Sequence, residues 1–82
     1  MEVGIIAKII VYSTSSCPWC HRAKDYLKEH KIKFTDKNVA EDDAARDEMV
    51  EKSGQMGVPV LDIDGKIIIG FDQEAIDKAL KL

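Results

Sequence analysis

Residues 5–27 read IIAKIIVYSTSSCPWCHRAKDYL, and their order decides the fold. The apolar, β-branched run IIAKIIVY at residues 5–12 reads as a buried strand. Ser13 to Ser16 form a polar loop, and Ser16 or Cys17 stands where a helix cap belongs. Pro18 suits the first helical turn, where its missing N–H has no partner to lose. Ala23, Tyr26 and Leu27 then recur at helical spacing, so residues 18–30 are expected to be helical. Lys28, His30 and Lys31 sit near the C-terminal end, where cations favour the helix dipole. A strand that feeds a helix through Cys17 and Cys20 is the simplest redox device a chain can carry.

Working outward, residues 33–39 (KFTDKNV) alternate weakly and read as a second strand. Residues 41–53 open with Glu41-Asp42-Asp43, the acidic first turn expected of a helix. Ala45, Met49 and Val50 supply its apolar face, and Gly54 ends it. Residues 58–63 form a third strand, Asp64-Gly65 a tight hairpin turn, and residues 66–69 a fourth strand. Residues 72–82 make a last helix with Ala75, Ile76, Ala79 and Leu80 inward. The order is β-α-β-α-β-β-α. The first two strands, joined by a helix, should be parallel with a right-handed crossover, and the hairpin should add an antiparallel edge. The expected architecture is α/β: one domain over residues 1–82, a four-stranded mixed sheet with three helices.

The chain has 82 residues, 45% hydrophobic and 33% charged, the balance of a soluble globular domain with a modest core. No apolar stretch approaches the roughly 20 residues that span a membrane. The N-terminus lacks a basic leader region, and Lys8 interrupts the apolar run. A cytoplasmic monomer is expected, in which a close cysteine pair is catalytic or metal-binding rather than a structural staple. The net charge of −3 argues against nucleic acid as a partner.

The thiolate, not the thiol, attacks a disulfide. The helix start aims free N–H groups at Cys17, which should lower its pKa; Cys20, one turn further in, should be shielded. Cys17 is therefore read as the nucleophile and Cys20 as the resolving thiol. A fall in pKa from about 8.5 to about 6 raises the thiolate fraction at pH 7 roughly thirtyfold. The loss in intrinsic nucleophilicity, about thirteenfold, nearly cancels this. The larger benefit is a better leaving group when the mixed disulfide is resolved. Other readings of the pair are open at this point. Cys17-Pro18-Trp19-Cys20-His21 matches the haem c attachment string, with Met49 or Met56 as a distal ligand. Cys17, Cys20 and His21 share a helix face and can hold zinc if a fourth ligand exists, although His30 lies too far along the helix. Both cysteines can also simply be buried and inert.

With motif and element order together, the chain resembles the glutaredoxins of the thioredoxin-like superfamily, over almost its whole length. The family motif Cys-Pro-Tyr-Cys appears with Trp19 in the aromatic place. The family's Thr-Val-Pro turn appears as Gly57-Val58-Pro59. Its Gly-Gly-Cys-Asp segment appears as Ile69-Gly70-Phe71-Asp72. The resemblance implies a thiol–disulfide oxidoreductase with Cys17 and Cys20 as catalytic residues, supported by Pro18, Trp19 and Pro59. It implies that Pro59 follows a cis bond and bares the Val58 backbone for strand-like pairing with a peptide or with glutathione. It further implies glutathione as reducing co-substrate, bound by Arg46, Val58, Phe71 and Asp72, with no metal. Arg46 suits a carboxylate through its planar fork, but on an acidic helix it can equally pair with Asp42 or Asp43. Asp72 can cap the last helix as well as hold a ligand.

Many family members carry Lys or Arg three residues before the first cysteine, where this chain has Thr14. Together with the residues 53–60 segment, this points to a second possibility. A redoxin independent of glutathione would be reduced by thioredoxin reductase and would serve a protein such as ribonucleotide reductase. A third is a module that holds an iron–sulfur cluster between two chains, which the motif proline disfavours. Trp19 reads either as a rim over Cys20 or, together with Met56 and Phe71, as an apolar platform for disulfide-containing proteins. Tyr12 reads as packing.

Overall fold

The computed structural model describes residues 8–80. The elements run β1 Ile9–Ser13, α1 Pro18–Glu29, β2 Thr35–Asn38, α2 Asp43–Ser53, β3 Val60–Ile63, β4 Lys66–Ile69 and α3 Gln73–Leu80. This is the expected order, and the four strands form one mixed sheet in the order β2-β1-β3-β4. β1 pairs parallel with β2 and antiparallel with β3, and β3 pairs antiparallel with β4. Residues 5–7 of the expected first strand and 81–82 of the last helix lie outside the described residues.

β1 is central and every one of its residues is buried, which is why its sequence is continuously apolar rather than alternating. Ile9 and Val11 face one side with Leu61, Ile63 and Ile68, where Ala23 and Leu27 of α1 and Ile76 of α3 cover them. Ile10 and Tyr12 face the other side with Val60, beneath Ala45 and Met49 of α2. Successive side chains point to opposite faces of the sheet, so one strand feeds both cores. Tyr12 is packing, as expected: its ring is fully buried, and its hydroxyl accepts a bond from Lys52 Nζ at 3.0 Å.

Several boundaries differ from the sequence reading, each for a local reason. Ser13 belongs to β1 rather than to the loop, because it continues the pairing with Asn38 and is 1% exposed. β2 is shorter than residues 33–39 and largely exposed, as an edge strand with a polar sequence can be. Asp42 is not in the first turn of α2 but caps it, its carboxylate accepting from Ala45 N at 3.1 Å. Gly54 ends that helix with φ 74°, the left-handed conformation that glycine adopts freely. β3 starts at Val60, because Val58 and Pro59 are diverted into the turn that borders the cysteines. No helix among the described residues is long and apolar enough to cross a membrane.

Candidate active site

Cys17 caps α1 with extended backbone, φ −96° and ψ 112°, and its Sγ accepts from Cys20 N at 3.2 Å. Pro18 follows at the start of the helix, where it costs no hydrogen bond. The two thiols are one turn apart but differ in access: Cys17 is part exposed, whereas Cys20 is 0% exposed. Burial pushes the Cys20 thiol up to about 11, and the Cys17 sulfur beside it adds to the rise. A backbone hydrogen bond from Thr14 and the Lys24 ammonium pull the other way.

The Val58–Pro59 bond is cis, and Cys17 Sγ lies 3.9 Å from the Val58 carbonyl oxygen. Two loops meet here, because Gly70 N donates to the Pro59 carbonyl at 2.8 Å. Between them opens a cleft of about 260 Å³ lined by Trp19, Val58, Pro59, Gly70 and Phe71. Trp19 is 55% exposed; its ring stacks toward Phe71 at 6.4 Å and lies under the Arg22 guanidinium at 5.1 Å. Phe71 also meets the edge of Tyr26 at 5.7 Å, and the Tyr26 hydroxyl donates to Asp77, tying α1 to α3. Met56 stands exposed and does not line the cleft.

The Gly57 position has its own logic. The Gln55 side chain brackets that residue, accepting from Gly57 N at 2.6 Å and donating to its carbonyl at 3.0 Å. A side chain at position 57 would meet Gln55 Oε1 at 2.7 Å and displace this clasp. The amide of Gln55 thus orders the entry to the Val58–Pro59 turn.

Trp19, Val58, Pro59 and Phe71 line the cleft, and Cys17 adjoins it through Val58, with Pro18 and Cys20 following in the first turn of α1. Asp72 follows Phe71 directly and caps α3, accepting from Ala75 N at 3.1 Å. Arg46 is not among the cleft-lining residues; its guanidinium pairs with Asp43 at 3.4 Å on the exposed side of α2. His21 Nε2 lies 2.9 Å from the Ser15 carbonyl, which accepts from it. Met49 of α2 is buried against the sheet. Among the described residues, no group of three or more His, Cys, Asp or Glu is arranged to hold a metal ion.

Sequence reasoning passed over one constellation, Ser13, Lys24 and Asp36. Ser13 Oγ donates to Asp36 at 2.6 Å, and Lys24 Nζ donates to Asp36 at 3.1 Å and to Ser13 Oγ at 3.4 Å. The position of Lys24, four residues after Cys20 on the same helix face, is visible in the sequence. Its partners come from β1 and β2 and are not. A larger cavity of about 360 Å³ adjoins Lys37, Glu48, Lys52 and Asp62 and shares no lining residue with the cleft. Those four charges are paired with one another.

A thioredoxin-like sheet with an accessible thiol at a helix start, a buried thiol one turn on and a cis-proline turn beside them defines a thiol–disulfide oxidoreductase. The glutaredoxin family model matches residues 9–68, and the chain belongs to the glutaredoxin family. It is 52% identical over 73 residues to a glutaredoxin-like 8.6 kDa protein in the rubredoxin operon of Clostridium pasteurianum, covering 89% of this chain and 97% of that one. It is 36% identical over 67 residues to glutaredoxin 3 of Escherichia coli K12, covering 82% of this chain and 81% of that one. Among solved structures, a mutant of the thioredoxin-like protein BC3987 superposes with a TM-score of 0.86 at 31% identity, covering 90% of this chain and 95% of that one.

Proposed function

We propose that the protein reduces disulfides in protein substrates, and mixed disulfides with glutathione, through a cycle in which Cys17 attacks and Cys20 resolves. One observation carries the reading: the part-exposed Cys17 sulfur sits 3.9 Å from the Val58 carbonyl, with Cys20 fully covered one turn behind it. A substrate cysteine lying along Val58 pairs its backbone there and presents its disulfide to Cys17. The Cys17 thiolate displaces one substrate sulfur, which leaves as a thiolate and takes a proton. Cys20 or a second glutathione then attacks Cys17 Sγ and releases the other product thiol. A glutaredoxin-like potential for the Cys17–Cys20 couple is roughly −200 to −230 mV. The setting belongs to the proposal: a cytoplasmic monomer, where thiols are kept reduced.

Glutathione is the proposed reductant. Its cysteinyl part would lie along Val58, and its γ-glutamyl end at the Phe71–Asp72 corner, where α3 presents its first N–H groups. The glycine carboxylate would take Arg46, whose exposed pair with Asp43 is worth at most about 1 kcal/mol and exchanges readily. A second reading draws on Thr14 and on the Arg46–Asp43 pair, which leave no cation lining the cleft among the described residues. In that reading thioredoxin reductase supplies the electrons and glutathione does not.

The test offers the oxidised protein NADPH with either glutathione and its reductase, or thioredoxin reductase, and follows NADPH loss. Fast turnover with glutathione supports the first reading; turnover with thioredoxin reductase alone overturns it in favour of the second.

A further inference from the structure

We propose that Lys24 is a positioning residue for disulfide closure: its ammonium, held by Ser13 and Asp36, favours the thiolate form of Cys20 at the moment Cys20 attacks. This rests on the division of labour proposed above, with Cys17 as attacking and Cys20 as resolving thiol.

The need is set by burial. Cys20 is 0% exposed, so water does little to stabilise its anion, yet closure requires that anion. Compensation must come from fixed groups. One turn ahead of Cys20 on the same face of α1 stands Lys24, one turn back stands the cap Cys17, and the Thr14 backbone, just past β1, also acts on the Cys20 thiol. Cys17 opposes ionisation; the other two favour it. In the mixed disulfide Cys17 carries no charge, which leaves Lys24 as the charged member of the set.

The way Lys24 is held separates it from the surface lysines. Its side chain is 15% exposed, and its ammonium bridges Asp36 at 3.1 Å and Ser13 Oγ at 3.4 Å. Ser13 is 1% exposed and donates in turn to Asp36 at 2.6 Å. A lysine on a solvent-exposed helix face would sample many rotamers; this one is tethered by two strands. Ser13 directly precedes Thr14, so the same end of β1 steadies both groups that favour the Cys20 anion. Asp36 faces the ammonium and partly offsets its charge.

The step balances without a further reagent. Starting from Cys17 joined to a substrate sulfur, Cys20 gives its proton to water, and the thiolate attacks Cys17 Sγ. The Cys17–substrate bond breaks as the Cys17–Cys20 bond forms, and the substrate sulfur leaves as a thiolate.

A symmetrical aromatic disulfide, 5,5′-dithiobis(2-nitrobenzoate), mixed with an equimolar amount of reduced protein, separates the two steps. The first coloured thiolate reports attack by Cys17, the second closure by Cys20. Losing a nearby cation that a carboxylate partly offsets raises a thiol by at most about one unit. Each unit lowers the thiolate fraction tenfold and returns about threefold in nucleophilicity. Lys24→Met should therefore slow the second release at pH 7 by up to about threefold and move its pH profile upward, with the first release unchanged. Asp36→Asn keeps an acceptor oxygen for Lys24 and Ser13 but removes the offsetting charge, so it should leave the second release as fast or faster. Slowing of both phases by Lys24→Met would show a general structural role and overturn the proposal. So would an unchanged second phase, or an Asp36→Asn variant as slow as Lys24→Met. A wild-type protein with no second release would overturn the Cys17–Cys20 assignment itself and the proposal with it.

Discussion

Reduced protein exposed to iodoacetamide should be alkylated at Cys17 and spared at Cys20. Burial and the neighbouring Cys17 sulfur hold the Cys20 thiol near 11 against an ordinary 9.0. At pH 7 the thiolate fraction is then about one in ten thousand rather than one in a hundred, a hundredfold deficit. Higher basicity returns roughly eightfold in nucleophilicity, so ionisation alone slows Cys20 about twelvefold. Its zero exposure slows it further, because the reagent must wait for a local opening. The assay is a timed alkylation with a free cysteine peptide as internal reference, quenched and mapped by peptide mass at each pH. Cys20 should label more than tenfold slower than the reference at pH 7, and its rate should climb about tenfold per pH unit without levelling by pH 10. Labelling of Cys20 within twofold of the reference, or a plateau near pH 9, would refute the burial account of this thiol.

Three further outcomes follow from other parts of the molecule. Glu48 is held down to about 2, against an ordinary 4.5, mainly by its hydrogen bond from Lys37. A depressed carboxylate stabilises the fold above pH 4.5 and loses that contribution as pH falls toward 2. Since the side chain is 34% exposed, the full shift of about 3 kcal/mol is discounted to about 1; Glu48→Gln should cost that much in urea unfolding at pH 7 and only a small fraction of it at pH 2. Leu27→Ala opens a cavity under α1 at a 0% exposed site and should cost about 2–5 kcal/mol, lowering the thermal midpoint by roughly 10 °C or more. Trp19→Ala removes an exposed wall of the cleft; the KM for a protein disulfide should rise about tenfold, about 1.4 kcal/mol, with little change for a small aromatic disulfide.

The residues that announced this site are those whose role depends on near neighbours in the chain. Cys17, Pro18 and Cys20 fall within one helical turn, so the cap, the proline at the helix start and the bond from Cys20 N are all local consequences of four residues. Trp19, exposed, belongs to the same first turn of α1. Arg46 is local in the same way: it pairs with Asp43, three residues away on its own helix, one of the partners that its acidic surroundings offered. Asp72 keeps a cap role that its position before α3 already suggested.

What the sequence alone determined is the order of elements, the Gly54 helix stop, the Asp64-Gly65 hairpin and the redox pair. These follow from propensity, caps and turns, which act over about four residues. The tertiary structure decided that the Pro59 turn meets the cysteines, because β3 lies beside β1 and brings Val58 to Cys17 across 41 positions. It also decided the partners of Lys24 and Lys52: Asp36 and Asp62 are polar residues of strands, and only sheet pairing places them beneath those helices. Contacts so distant in sequence depend on which strand lies beside which, and hydrophobic burial settles that for the whole sheet at once.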